Sequence, residues 1–188
     1  MEKNKILKFI TSNKNKLAEI SALLAPIKIE QMNIDLDEIQ DIDPHKIIKH
    51  KLNEAFKHHK GPFIVEDSGL VLRAFGGKLP GPFIKFFNVY LGPKNLAKLA
   101  IGINEQRAEG RTIIAYAKNK KNILFFEGTI KGRVVMPRGK HGFGYDPIFL
   151  PNNSKFTLGE LKSEGYYKFS ARGIAAKKLK NYLLSHEK

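Results

Sequence analysis

Ile6-Leu7-Lys8-Phe9-Ile10-Thr11-Ser12-Asn13-Lys14-Asn15-Lys16-Leu17 is the stretch that decides the fold class. Its first five residues are apolar around one lysine and read as an opening strand. Thr11, Ser12 and Asn13 then bring the short oxygen-bearing side chains that cap a helix start. Residues 14–24 carry Leu17, Ile20 and Leu24 at i, i+3 and i+7, the spacing of one buried helical face.

Outward from there, residues 27–34 form a second strand and residues 45–56 a helix with Ile48, Leu52, Ala55 and Phe56 on one side. Asp43-Pro44 supplies that helix with a cap and a first-turn proline. Residues 63–65 are a short buried strand ending in Glu66-Asp67-Ser68-Gly69, and residues 70–74 a further strand. The stretch 76–82 is a loop by its glycines and prolines. Helices are expected at 83–90 and 94–101, and strands at 111–117 and 123–135 around a polar turn. Residues 139–147 form a glycine-rich loop, and residues 170–184 a last helix carrying Ile174, Ala175, Leu179 and Leu183. Helices and strands alternate early and strands pair late, so the class is α/β with a mixed sheet. Nothing reads as a linker, so residues 1–188 are expected to be a single domain.

Composition narrows the function classes. The chain carries 33 Lys plus Arg against 18 Asp plus Glu, a net charge of +15. That charge attracts nucleic acid and polyphosphates alike. Only 6 of the 33 are arginine, however, the residue that reads guanine edges through a bidentate fork. The lysines are scattered, as on a solvated surface. No cysteine is present, which excludes disulfides and thiolate zinc sites and fits a reducing compartment. Apolar runs are too short to span a bilayer, and Met1-Glu2-Lys3-Asn4-Lys5 lacks the apolar core of a signal peptide. A cytoplasmic protein with no membrane partner is expected.

Three stretches carry candidate chemistry. Thr11-Ser12-Asn13-Lys14-Asn15-Lys16 lies where backbone N–H groups leave a helix start, with lysines to neutralise an anion. The same residues are also an ordinary helix cap. Glu66 and Asp67 at a strand end are able to hold a cation or activate water, or to form a hydrogen-bonded turn. Six of the 18 acids fall between Glu30 and Asp43 (Glu30, Asp35, Asp37, Glu38, Asp41, Asp43), a cation site or a solvated loop. In His141-Gly142-Phe143-Gly144-Tyr145-Asp146-Pro147 the glycines permit close approach and the rings offer stacking, unless the rings are core. The six histidines (His45, His50, His58, His59, His141, His186) have no metal-ligand spacing and read as surface residues.

Taken in order, T-S-N-x-x-K, V-E-D-S-G-L and G-F-G-Y-D-P-I-F resemble the inosine triphosphate pyrophosphatase family, in one register from about Ile6 to Leu183. Ala74-Phe75-Gly76-Gly77, Pro80-Gly81-Pro82-Phe83-Ile84-Lys85-Phe86-Phe87 and Phe126-Glu127-Gly128-Thr129 strengthen it. The resemblance implies an elongated α/β fold of two lobes around a long mixed sheet, with the active site in the cleft between lobes. It implies a homodimer and one Mg²⁺ per subunit. The implied activity is hydrolysis of ITP, dITP and XTP to monophosphate and pyrophosphate, which keeps deaminated purines out of DNA and RNA.

By the same resemblance Thr11, Ser12, Asn13, Lys14, Asn15 and Lys16 hold the triphosphate. Glu38 and Asp67 hold the metal, Asp67 is the proton acceptor, and Ser68 touches substrate. Phe143, Gly144, Tyr145 and Asp146 hold the nucleoside, and Arg172 contacts the purine. Three departures concern the base. The family's K-x-x-x-S-H-R here reads Tyr166-Tyr167-Lys168-Phe169-Ser170-Ala171-Arg172, losing a lysine and a histidine, and Gly77-Lys78-Leu79-Pro80 is one residue long. The alternatives are a broader-specificity triphosphate pyrophosphatase and a basic nucleic-acid-binding protein without turnover. Paired acids beside a phosphate site repel a nucleic-acid backbone, so no stable nucleic-acid complex is expected.

Overall fold

The computed structural model describes residues 6–34, 36–161 and 163–186, with the side chains of Ser163 and Glu164 left aside. Strand β1 (Leu7–Ile10) leads through the cap into α1 (Lys14–Leu24), then β2 (Ile29–Met32), α2 (Pro44–His58) and β3 (Phe63–Leu72). A single tight turn, Arg73–Phe75, precedes the two-residue strand β4 (Pro80–Gly81), the helical turn α3 (Ile84–Phe86), a π-helical turn at Phe87–Leu91 and α4 (Pro93–Gly102). Then come the long strands β5 (Arg107–Asn119) and β6 (Asn122–Val134), a turn at Asp146–Ile148, β7 (Phe149–Pro151), α5 (Ser163–Phe169) and α6 (Ala171–His186). Among the described residues no helix is long and apolar enough to cross a membrane.

These strands form one seven-stranded mixed sheet in the order β2-β1-β3-β5-β6-β7, with β4 pairing off β3. β1 runs parallel to β2 and β3, while β7 is antiparallel to β6 and β4 to β3. β5 and β6 are joined by two residues, a connection that only antiparallel strands accept. There the Asn119 side chain accepts from the backbone N–H groups of Lys121 and Asn122.

The chain divides into two compact units. The first comprises Met1–Asp67, Ile113–Glu127 and Ala175–Lys188, and the second Ser68–Thr112 and Gly128–Ile174. In the first, a period of two sends alternate strand residues to opposite faces of the sheet. Leu7, Phe9, Ile64, Ile114 and Tyr116 pack with Ile20 and Leu24 of α1 and Ala176 and Leu179 of α6. Ile10, Phe63, Val65, Ile113, Ala115 and Ala117 pack with Ile48, Leu52 and Ala55 of α2. Both faces are covered, so these strands read as apolar runs. In the second unit the core gathers Leu70, Leu72, Leu96, Ile148, Phe149 and Tyr166.

Several expected elements change on folding. The strands expected at 63–65 and 70–74 are one ten-residue strand, because the sheet pairing passes straight through the acids and Leu70 bonds across to Gly81. The helix expected at 83–90 is a three-residue α-turn followed by a π-helical turn closed at Gly92, whose N–H donates to the Phe87 carbonyl. The last helical region is two helices, which meet where the N–H of Gly173 donates to the Ser170 hydroxyl. β7 went unexpected because three residues are too few for a pattern to register.

Candidate active site

The alternation of β3 decides where its acids go. Phe63 and Val65 face α2 and Ile64 faces α1 and α6, so Glu66 falls on the α1 face and Asp67 on the α2 face. The contacts follow that geometry. Glu66, whose side chain is fully buried, pairs at 2.7 Å with Nζ of Lys16 from the first turn of α1. Asp67 Oδ1 receives Nζ of Lys51, from α2, at 3.0 Å. The expectation of a turn at these acids is thus corrected: they lie inside a strand.

Lys51 is 6% exposed, and its ammonium also sits 3.0 Å from Oε1 of Glu38. Two carboxylates from distant parts of the chain therefore converge on one cation-sized point. Burial alone pulls the Lys51 pKa down, but Asp67 and Glu38 outweigh it and hold the lysine charged, above its ordinary value. For Asp67 burial dominates and raises the pKa above the ordinary carboxylate range, against the pull of Lys51 and Lys16. The two directions describe a charged lysine beside a carboxylate that takes up a proton readily.

A hard divalent cation fits this donor set. Mg²⁺ is commonly held by one or two carboxylates with the rest of its shell from substrate phosphates and water. Among the described residues no group of three or more His, Cys, Asp or Glu side chains converges as a self-sufficient metal cage. Lys51 was not among the candidates, yet the sequence carried a signal for it. It falls inside the apolar stripe Ile48, Leu52 and Ala55 of α2, where a lysine needs a buried counter-ion.

The other acids of the run 30–43 have different tasks. Asp43 caps α2, accepting from His45 N at 2.9 Å. Asp41 accepts from Asp43 N and pairs with Lys46. Glu30 pairs with Lys8. Asp35 lies outside the described residues. Of the histidines, His58, His141 and His186 are exposed, whereas His45, His50 and His59 are half-buried. Half-burial corrects the surface reading for these three: His45 lies 3.4 Å from Glu127, His50 bonds the Asp37 carbonyl and His59 packs on Phe63.

At the start of α1 the cap is self-contained. Asn13 Oδ1 accepts from the N–H groups of Asn15 and Lys16 at 2.9 and 3.1 Å, and Thr11 Oγ1 accepts from Asn13 N at 3.1 Å. Ser12, Lys14 and Asn15 are exposed, and Lys16 is tied to Glu66. Lys14 is therefore the exposed cation at this helix start.

The second unit gathers the remaining candidates. Ser68 Oγ lies 2.9 Å from Thr112 Oγ1 and accepts from Arg172 Nη2 at 3.2 Å. The buried Arg172 guanidinium lies over the Phe143 ring, 5.2 Å from its centre. Asp146, also buried, accepts from Phe143 N at 2.7 Å and from the Tyr166 hydroxyl at 3.2 Å. The glycines of this loop are needed. Gly142 has φ +70°, and a Cβ there would lie 2.2 Å from Asp146 Oδ2; Gly144, at φ +64°, would place one 3.0 Å from the Asn88 amide. Tyr145 packs edge-on against Phe149 at the margin of the core, whereas Phe143 is half-buried beside Arg172. Both departures from the family motif, Tyr166 and Ala171, are buried.

A mixed-sheet α/β fold, a capped helix start bearing lysines and two carboxylates closing on a cation define a class of protein suited to phosphate chemistry. The Ham1 family pattern matches residues 7–182, and the chain belongs to that family. It is similar to the inosine triphosphate pyrophosphatase of Schizosaccharomyces pombe, 37% identical over 181 residues that cover 95% of each chain. It is also 36% identical over 174 residues to inosine triphosphate pyrophosphatase 1 of Trypanosoma cruzi, covering 91% of this chain and 88% of that one. Among solved structures, the Ham1 protein of Staphylococcus aureus shares the fold at TM-score 0.81, with 22% identity over 98% of this chain and all of that one. A HAM1 protein from Coxiella burnetii matches at TM-score 0.77 and 25% identity, covering 95% of this chain and 99% of that one. The nucleoside-triphosphatase, or dITP/XTP pyrophosphatase, of Mycobacterium abscessus matches at 0.70 and 26%, covering 93% and 98%.

Proposed function

We propose that this chain is a hydrolase that cleaves ITP, dITP and XTP to the monophosphate and pyrophosphate with Mg²⁺, and so keeps deaminated purines out of DNA and RNA. The single observation that carries the reading is the convergence of Glu38 and Asp67 on one cation position, 3.0 Å from each. The names of the relatives support it, since those proteins are inosine triphosphate pyrophosphatases.

In this reading Glu38 and Asp67 hold the metal, one per subunit, and the bound ion supplies charge neutralisation on the phosphate oxygens. Transfer at phosphorus rests on positioning and electrostatics more than on covalent catalysis. Lys14 and the N–H groups at the start of α1 receive the triphosphate, and Lys16, balanced by Glu66, adds positive potential there. Asp67 takes the proton of the attacking water, a role that its raised pKa favours. Oxygen of that water bonds to the α-phosphorus while the bond to the bridging oxygen of the pyrophosphate breaks. On the nucleoside side Phe143, Gly144, Tyr145 and Asp146 receive the purine, and Arg172 contacts it. Ser68 contacts the substrate as well.

The reading treats residues 1–188 as one catalytic domain of a cytoplasmic homodimer. A second reading, a broader-specificity pyrophosphatase, draws on Tyr166 and Ala171 standing where the family has lysine and histidine. Pyrophosphate release measured across ITP, XTP, dITP, ATP and GTP with Mg²⁺ separates the two. A preference for the first three supports the main reading, and equal rates support the second. No pyrophosphate from any of them, or orthophosphate in its place, overturns both.

A further inference from the structure

The π-helical turn at Phe87–Leu91 carries a polar side chain that neither the core nor the assigned site uses. Asn88 is half-buried, and its Oδ1 is fully buried without a hydrogen-bond partner among the described residues. Buried polar atoms are nearly always partnered, so an orphan calls for an explanation in function or in a missing ligand. Its neighbours on the turn point elsewhere: Val89 and Tyr90 are among the most exposed apolar side chains, at 68% and 84%. Phe87 packs against the core of the unit and meets Phe75 ring to ring. π-helical turns widen the backbone locally and recur at functional sites.

The position of Asn88 gives the orphan a direction. Gly144 has φ +64° and no side chain, and the Asn88 amide occupies the space beside it, with Nδ2 3.0 Å from where a Cβ would lie. Gly144 follows Phe143, the ring that Arg172 covers, and precedes Asp146, which Phe143 N and Tyr166 hold in place. The amide thus borders the loop assigned to the nucleoside. That same loop has lost two polar side chains for the base, with Tyr166 bonded to Asp146 and Ala171 apolar.

We propose that Asn88 reads the purine edge, its Oδ1 accepting the N1–H of a 6-oxopurine. The inference rests on the proposed function, and deepens it. Hypoxanthine, xanthine and guanine all carry a proton on N1, whereas adenine presents a lone pair there. A buried acceptor favours the first three and sets lone pair against lone pair with adenine. Asn88 is then a residue of base class and leaves the choice among 6-oxopurines to other contacts.

The test compares kcat/KM for ITP, XTP, GTP and ATP in the wild type, Asn88→Leu and Asn88→Asp, with thermal melts to show that each variant folds. Leucine fills the space without an acceptor, and aspartate keeps the acceptor while removing the amide donor. Asn88→Leu is expected to lower the three 6-oxopurine substrates together and to leave ATP, so the ITP-to-ATP ratio falls about tenfold or more, the scale of one good contact to a base edge. Asn88→Asp is expected to keep that ratio within about threefold of wild type on the same scale. An unchanged ratio in Asn88→Leu, or a fall shared equally by ATP, overturns the assignment and leaves Asn88 a packing residue. Loss of the ratio in Asn88→Asp overturns the acceptor role. Failure of the wild type to release pyrophosphate from any of the four refutes the activity itself, an outcome distinct from these.

Discussion

Replacing Lys51 by methionine keeps most of the side-chain volume and removes the charge between Glu38 and Asp67. Lys51 is 6% exposed and the Asp67 side chain 12%, so the carboxylate left behind is poorly solvated. Glu38 is 56% exposed and turns to water at little cost. Breaking a buried pair by removing one partner costs about 3–5 kcal/mol, and one exposed acid places this case near ~3. For a chain of this size each kcal/mol moves Tm by about 2–4 °C, so Lys51→Met should melt roughly 6–12 °C below wild type at pH 7. The pH dependence has a definite sign. Burial already raises the Asp67 pKa above its unfolded value, and a group so raised contributes stability that is lost as pH rises through its folded pKa. Removing Lys51 raises it further, so the deficit of the variant should grow from acid toward neutral pH and shrink below the raised pKa. The two freed carboxylates should also gain affinity for Mg²⁺. At a hundredfold excess over Kd a bound ion stabilises by ~2.7 kcal/mol, so saturating Mg²⁺ should raise the Tm of the variant more than that of wild type. Calorimetric melts over pH 4–8, with and without Mg²⁺, measure all three effects. A variant that melts with wild type at pH 7, or that gains no more from Mg²⁺, refutes the idea that the ammonium occupies a cation position.

Asp67→Asn should lower turnover at least ~10²-fold, because it removes the proton acceptor and a metal ligand together; near-normal pyrophosphate release would remove Asp67 from the chemistry. Since Asp67 acts in its deprotonated form, kcat/KM should fall as pH drops through a pKa above the ordinary carboxylate range, and a pH–rate profile flat down to pH 4 would contradict the raised value. Glu38→Gln should shift the Mg²⁺ titration to higher concentration, whereas an unchanged titration would make the acidic loop a solvated surface. Lys14→Ala should weaken triphosphate binding at low salt and converge on wild type as salt rises, because screening removes what an exposed lysine supplies. Equal affinity at low ionic strength would reduce the start of α1 to a helix cap. Lys16 is the poorer probe, since its removal strands the buried Glu66.

The legibility of the fold followed the length of each periodic signal. β1, α1 and α2 were readable because several turns or strand steps repeat an apolar spacing. The junction at Glu66-Asp67 was misread because two acids inside a strand break the apolar run, although a pleated strand carries polar side chains wherever partners await them. Lys16 and Lys51 are those partners, from two different helices, and a sequence displays no such pairing across 16 residues or more. The region 83–91 failed for a different reason. Its aromatic residues favour no particular helical pitch, and the close at Gly92 depends on the positive φ of that glycine.

The candidate site divides along the same line. Residues whose task is set by local backbone were readable from spacing: Asn13 and Asp43 cap the helices that follow them, as their types demand. Residues whose task depends on tertiary partners were not. Lys51 alone signalled itself, as a charge on an apolar stripe. Asn88 gave no signal, because an asparagine in a polar-flanked turn is ordinary until its carbonyl oxygen is found buried beside Gly144 without a partner. The sequence departures at Tyr166 and Ala171 read as lost contacts to a base. Folded, the Tyr166 hydroxyl is donated to Asp146, which also holds the N–H of Phe143, so the substitution fastens the loop that carries the aromatic ring. A side chain that once met the ligand directly has become one that fixes the shape of the loop. Discrimination among bases then falls to groups still facing unfilled polar demand, and Asn88 is such a group in this unit.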